Sequence, residues 1–219
     1  MKIDQFFEKG YYLNLDRRTD RREHFESEIK KANLESFFER VAGVDSKDEP
    51  DPLRRHCYCG LSIHNILKKI KENNLEKTLF LEDDMYFYNG GSEPGLQIVE
   101  KALDQLQSFP DWEIIYFGGY VFDEKVEQVS ENLLRVKTVL TTHAMGLNKP
   151  VIDKLLQYKP FVDCPIDGWI GEKKEIVKYL VWPLACPQLG DRSDLDAFNF
   201  SPGIGQWLDS YKRINVVPK

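Results

Sequence analysis

Three adjacent carboxylates, Glu82-Asp83-Asp84, stand directly after the run Thr78-Leu79-Phe80-Leu81. Four β-prone residues followed at once by three acids describe a buried strand that ends in a charged turn. Ligands of open α/β sheets bind beyond the carboxyl ends of the strands. Carboxylates this close repel one another unless a cation is shared among them. Hard oxygen donors favour Mg²⁺ or Mn²⁺, ions that retain waters and bind substrate phosphates as well. A solvated acidic turn is the alternative, and the position right behind a buried strand favours the metal.

A second set, Asn14-Leu15-Asp16-Arg17 followed by Asp20-Arg21-Arg22-Glu23, also leaves an apolar run and opens a helix. Backbone N–H groups and guanidinium forks can meet an anionic ligand there. An exposed helix start held by i,i+4 charge pairs is the alternative. Arg17, Arg18, Arg21 and Arg22 fall within six residues of a chain whose net charge is −6, from 36 acidic and 30 basic residues. A basic patch on so acidic a protein suits a small anion. Nucleic acid requires a basic face and is not expected as a partner.

The elements that must position these groups follow from periodicity. Residues 11–15 predict a first strand. Asp20, with Glu23 three places on, predicts a helix N-cap in a capping-box pattern, and Phe25, Ile29 and Ala32 give that helix one apolar face. Residues 37–41 predict a second strand, and 45–55, with Pro50 and Pro52, a loop. Residues 61–70 predict a helix buried along Leu61, Ile63, Ile66, Leu67 and Ile70. After the strand at 78–81, Gly90, Gly91 and Pro94 mark a loop that leads to a helix at 96–106 and a strand at 113–117, ended by Gly118-Gly119. Strands alternating with helices define an α/β sheet with parallel strands. Beyond it the pattern is mixed: strand-like at 133–140 and 143–147, helical at 151–158 and 166–174, β-like at 179–184, and a loop-rich tail from Cys186.

With 219 residues and 42% hydrophobic content, the composition is that of an ordinary soluble globular protein. No repeat or linker forces a domain split. No apolar run approaches the ~20 residues that span a bilayer. Residues 1–10 carry Asp4, Glu8 and Lys9 and lack the apolar centre of a secretory signal, so a cytoplasmic location is the expectation. Cys57, Cys59, Cys164 and Cys186 have neither the number nor the spacing of a disulfide scaffold or a zinc ribbon. Free thiols in a reducing compartment are expected.

An ordered set of segments resembles glycosyltransferase family 25, the lipooligosaccharide and collagen-type glycosyltransferases. It begins with Tyr11-Tyr12-Leu13-Asn14-Leu15-Asp16-Arg17-Arg18-Thr19-Asp20-Arg21 and continues through Val41-Ala42-Gly43-Val44-Asp45, Leu61-Ser62 and Asn65-Ile66. Thr78 to Asp84, Asp111-Trp112-Glu113-Ile114-Ile115-Tyr116-Phe117-Gly118 and Thr142-His143-Ala144 follow, then Asp163 to Asp167 and Pro187-Gln188. The match spans roughly residues 11–194, and its specificity lies in the ordered set rather than in any one piece. The family's Ser-His in the helix before the acidic strand is here Ser62-Ile63, with His64 one place later. Tyr58 stands where a glycine often precedes that helix's cysteine.

The resemblance implies a GT-A type α/β fold with a Rossmann-like, mostly parallel sheet flanked by helices. It implies a single catalytic domain over 1–219, with a nucleotide-binding half at about 1–120 and an acceptor half at about 121–219. It gives Glu82-Asp83-Asp84 the part of a DxD motif: Asp84 holds Mn²⁺ (or Mg²⁺), with Glu82 and Asp191 as further ligands, and Asp83 faces ribose. Asn14, Asp16 and Arg17 leave the first strand at the sheet edge and are expected on the nucleotide, together with Arg21 and Asp45. His143 is expected to touch phosphate or acceptor, and Asp191 and Asp194 to close over the diphosphate.

The donor implied is UDP-galactose or UDP-glucose, transferred with inversion to a hydroxyl acceptor on a glycan, a hydroxylated protein side chain or a lipid-linked sugar. A base must take the hydroxyl proton. Asp167 is the first candidate and Asp163 its rival, although an Asp ahead of a helix is also the ordinary N-cap. Trp112 and Trp169 are candidates to stack on sugar faces, with core packing the alternative for Trp112. A metal-dependent phosphohydrolase would need a second metal cluster, and His24, His56, His64 and His143 are scattered. A non-catalytic nucleotide- or glycan-binding module would not need the intact acidic run.

Overall fold

Apolar residues at adjacent positions, Tyr11-Tyr12 and Leu79-Phe80-Leu81, mark strands covered on both faces, and that is how they are built. The computed structural model describes residues 1–123, 125–163, 165–190, 194 and 203–218. In chain order the elements are α1 (Ile3–Phe6), β1 (Lys9–Asn14), α2 (Thr19–Lys31), β2 (Phe38–Ala42), α3 (Pro52–Glu72), β3 (Lys77–Glu82), α4 (Gly95–Leu106) and β4 (Ile114–Tyr116). Then come β5 (Tyr120–Val121), β6 (Val126–Ser130), β7 (Leu133–Val136), β8 (Val139–Leu140), β9 (Ala144–Asn148), α5 (Lys149–Leu155) and α6 (Ile166–Glu172). The last are β10 (Lys178–Val181), α7 (Ile204–Lys212) and β11 (Val216–Pro218).

Nine strands form one sheet in the order β11-β6-β7-β10-β4-β9-β3-β1-β2, and β5 pairs with β8 apart from it. Seven of the nine point one way, and only β7 and β9 are reversed. The expected mostly parallel α/β sheet is therefore present, with reversed strands threaded through it. The chain runs from β1 out to β2, then crosses back through α3 to β3 on the other side of β1. A reversal of that kind opens a crevice beyond the carboxyl ends of β1 and β3. Tyr12, Leu79, Leu81, Phe25, Ile29 and the buried stripe of α4 pack on one face. Tyr11, Phe80, Ile63, Ile66, Leu67 and Ile70 pack on the other.

Several expectations are corrected. α2 begins one residue before Asp20, with Arg18 at its N-cap and no side-chain cap bond. The Asp20 carboxylate is taken instead by the Arg18 guanidinium, 2.7 Å away, still where an acid complements the helix N-terminus. α3 starts at Pro52 inside the expected loop, because proline at a first helical position gives up an N–H that has no helical partner anyway. Residues 133–140 break into β7 and β8, which belong to different sheets. α5 and α6 are shorter than expected, and the tail is not all loop, since it contains α7 and β11. Cys57 and Cys186 are buried free thiols, Cys59 is half-buried, and Cys164 lies outside the described residues. No described helix is long and apolar enough to cross a membrane.

Candidate functional site

β1 and β3 end side by side, with Leu13 opposite Glu82 and the Asp83 N–H donating to Leu13 O at 3.2 Å. That register brings Asn14 against the acidic turn. Asn14 is 1% exposed and uses its whole amide. Its Nδ2 donates to Asp83 Oδ2 at 2.6 Å and to Arg18 O at 3.0 Å, and its Oδ1 accepts from Arg40 Nε at 2.9 Å. Arg21, one turn into α2, lays its guanidinium between the two aspartates, 3.5 Å from Asp83 and 3.2 Å from Asp84. All three are buried. A guanidinium buried with two carboxylates keeps that turn charged and folded, and removing it would leave anions uncompensated.

The three acids meet different environments. Glu82 receives the Thr142 hydroxyl at 2.8 Å. Removal from water, with the Asp84 charge beside it, holds its carboxyl up at about 8. Burial first and the Asp84 charge second raise Asp83 to about 6. Asp84 accepts from the Gln188 side-chain amide, 3.3 Å from both its oxygens.

Gln188 belongs to residues 185–189, which pair with 84–88 in a short ribbon. Leu189 N donates to Asp84 O at 2.7 Å, Tyr86 N to Pro187 O at 3.2 Å and Tyr88 N to Ala185 O at 2.9 Å. Cys186 ties this strap to the sheet. Its N–H donates to Phe117 O, and its carbonyl accepts from His143 Nε2 at 2.8 Å. A Cβ on Gly118 would stand 1.9 Å from that carbonyl, so only glycine lets the strap approach so closely. Sequence reasoning placed Pro187-Gln188 in the family order and gave Gln188 no role. No local signal reveals a contact made across more than a hundred residues.

The other expected residues fall into groups. Arg17 pairs with Asp45 at 2.8 Å, and Asp194 bridges Arg17 and Arg18 at 2.7 and 2.5 Å. Asp16 pairs with Arg40 at 2.6 Å and is otherwise exposed. His143 is fully buried, its ring nitrogens bonded to Cys186 O and the Thr141 hydroxyl. Because the Cys186 carbonyl can only accept, Nε2 carries the proton, and burial holds the imidazole neutral by lowering its pKa. Asp191 lies outside the described residues.

Asp167 accepts from Gly168 N at 2.8 Å and from Thr141 N at 3.0 Å. Thr141 has φ 77°, a region β-branched residues rarely adopt, and such strain concentrates at functional sites. Asp163 accepts the Lys159 N–H at 2.8 Å, closing its own turn. Trp112 is core, packed on Phe6 and Phe7. Trp169 is half-buried against Tyr158, with Lys173 over its ring.

Together Asn14, Arg21, Asp83, Asp84, Gln188 and Asp194 line a cleft of about 120 Å³, floored by Gly43, Val44, Ser62 and Cys59. Its acids are hard oxygen donors, and two adjacent carboxylates are what a Mg²⁺- or Mn²⁺-type ion takes when phosphate and water complete its shell. Among the described residues, no group of three or more His, Cys, Asp or Glu is arranged to hold an ion without such help.

No family model matches the chain. Among curated proteins, human procollagen galactosyltransferase 2 is 30% identical over 222 residues, covering 90% of this chain and 34% of the relative. A glycosyltransferase 25 family member of Aedes aegypti is 29% identical over 185 residues, covering 73% and 30%. One of Drosophila melanogaster is 26% identical over 227 residues, covering 92% and 35%. The chain thus spans about a third of the length of the curated relatives it matches. Among solved structures, UDP-glucose pyrophosphorylase complexed with UDP-glucose aligns with a TM-score of 0.47 at 11% identity, over 93% of this chain and 80% of that one. A glycosyltransferase involved in glycosylation of the major capsid of PBCV-1 aligns with a TM-score of 0.37 at 11% identity, over 67% and 62%. Over most of its own length the chain is thus similar to procollagen galactosyltransferase 2 and to glycosyltransferase 25 family members.

Proposed function

We propose that this chain is a glycosyltransferase that transfers a hexose from UDP-galactose or UDP-glucose to a hydroxyl acceptor at the carboxyl edge of β1 and β3. The observation that carries this reading is the buried Asp83-Asp84 turn, held by Asn14, Arg21 and Gln188 at the point where the strand order reverses. Asp84 would hold Mn²⁺ or Mg²⁺. Asp83, expected on the ribose, would be drawn in as a second ligand because it shares the Arg21 guanidinium with Asp84, and Glu82 lies behind them bound to Thr142. When bound, such an ion stabilises the charge that develops on a departing diphosphate.

The chain's own groups do the rest. Arg21, Arg17 and Arg18 present guanidinium forks to the phosphates. Asp45 orients the nucleoside, while Asn14, its amide spent on Asp83, Arg18 and Arg40, holds the turn rather than touching the nucleotide as expected. Arg17 and Arg18 exchange their bridge to Asp194 for the donor phosphates. Asp167 is the candidate base: through Thr141 it is tied to the segment whose next residue, Thr142, holds Glu82. Asp163 is the rival, engaged in its own turn. A base on the acceptor with the diphosphate leaving opposite makes a single in-line displacement with inversion.

UDP release from UDP-galactose and UDP-glucose, measured with Mn²⁺ and with chelator, tests this. Release that requires Mn²⁺ is the expected result. No release from either donor overturns it, and UMP with hexose 1-phosphate instead of UDP would mean a phosphohydrolase.

A further inference from the structure

A second hollow lies apart from the acidic cleft. It encloses about 610 Å³, a volume ordinary for a small-molecule site. Tyr88, Trp182 and Tyr211 line it, with Glu93, Lys212 and Asn215 among its polar groups. Trp182 and Tyr211 lie parallel, 5.7 Å between ring centres and 6° between planes. Tyr88 and Trp182 are half-buried and open to the hollow. Tyr88 follows the end of β3 and Trp182 the end of β10, and the two strands run the same way, so the hollow lies beyond the same edge of the sheet as Asp84.

The same ribbon serves both places. At one end Asp84 O meets Leu189 N, and at the other Tyr88 N meets Ala185 O. Four residues of strand separate Asp84 from Tyr88, at most ~13 Å along the backbone. Gly95 fixes the near end, because a Cβ there would stand 2.2 Å from Ala185 O.

We propose that this aromatic hollow binds carbohydrate, the part of a glycan acceptor that extends away from the reacting hydroxyl. A pyranose has C–H faces that lie on aromatic rings and a rim of hydroxyls that hydrogen-bond. A wall of tyrosine and tryptophan beside a carboxylate, an ammonium and an amide supplies both. An alkyl chain would offer nothing to the charged groups there, Glu93 beside Lys101 at 2.7 Å and Lys212 beside Asp209 at 3.3 Å. The role as acceptor rests on the transferase reading, whereas the affinity for sugar rests on the hollow alone.

The test therefore omits donor and metal. The indole N–H resonances of the four tryptophans are followed by NMR during titration with lactose, N-acetyllactosamine and maltotriose, with Trp182→Phe assigning the Trp182 signal. At least one sugar is expected to shift that resonance saturably, and Tyr88→Ala to weaken binding by about tenfold, the scale of losing an aromatic anchor. Tyr88→Ala removes a half-exposed ring, and unchanged indole dispersion verifies its fold. No shift with any of the three sugars overturns the proposal. So does a shift that Tyr88→Ala leaves unaltered, or one produced by UDP or octyl alcohol and by no sugar. Loss of UDP release in an Asp84 variant would leave it standing.

Discussion

Asp83 and Asp84 follow a strand, whereas Asp163 precedes α6 and Asp167 stands in its first turn. At the first turn the carboxylates are buried, face a guanidinium and an amide, and accept bonds mainly from side chains on distant parts of the chain. At the second they are half-exposed and accept from backbone N–H groups, two of these within four residues in sequence. Only Asp167 reaches further, to Thr141. The contrast separates carboxylates that the whole fold is arranged to hold from those that finish a local turn. The first kind costs stability without a compensating cation, which is a reason to associate it with function.

The largest expected effect lies at the first turn. Asp84→Ala should abolish Mn²⁺-dependent UDP release, a loss of roughly 10³-fold or more if a diphosphate-bound ion supplies several kcal/mol. Its circular dichroism should match wild type, because Arg21 retains Asp83. Normal turnover would break the comparison outright. Arg21→Met should lower unfolding stability by about 3–5 kcal/mol, the scale of removing one partner from a buried ion pair. Mn²⁺ should raise the urea midpoint of this variant more than that of wild type. Equal effects on both would show that Arg21 does not stand where the ion goes.

At the second turn, Asp167→Asn loses the charge and keeps one of the two backbone bonds, since Thr141 N and Gly168 N donate to different carboxylate oxygens. UDP affinity should hold while turnover falls by ~10²-fold or more, as for loss of a general base. Asp163→Asn should change stability by no more than about 0.5 kcal/mol and leave turnover as it was. If the two variants behave alike, Thr141 does not distinguish them.

A finer probe is pH. Glu82 is held at about 8 against an ordinary 4.5, so between those values the folded chain binds a proton that the unfolded chain has released. Its contribution is greatest below the lower value and is lost as pH rises through the upper. In chelator the melting temperature should decline over that window, and Glu82→Gln should flatten the decline. An unaltered slope would assign it to other groups.

Much of the first turn was legible because its signals are local. Four β-prone residues ahead of three acids mark the end of β3, and the spacing of Phe25 and Ile29 marks the buried face of α2. What could not be read depends on contacts far apart in the chain. Nothing in residues 144–148 says that β9 inserts backwards between β3 and β4. Nothing around Gln188 says that its amide meets Asp84, or that Gly118 is glycine to admit the Cys186 carbonyl. α7 was hidden for a different reason: the Asp-, Pro- and Gly-rich stretch before it reads as loop, and the helix is anchored by Trp207 and Tyr211, both buried by the rest of the fold. Asp20 shows the opposite failure, a good local cap signal overruled by a nearby guanidinium.

The guanidinium of Arg21 has a kinetic consequence. It already occupies the space between two carboxylates, so a free divalent ion arriving by itself must push a cation aside and gains little by doing so. An ion arriving on a nucleotide diphosphate brings the phosphate oxygens to which Arg21 can turn, and both cations then keep an anionic partner. On the transferase reading, the enzyme takes up its metal and its nucleotide as one species, and after transfer releases them together.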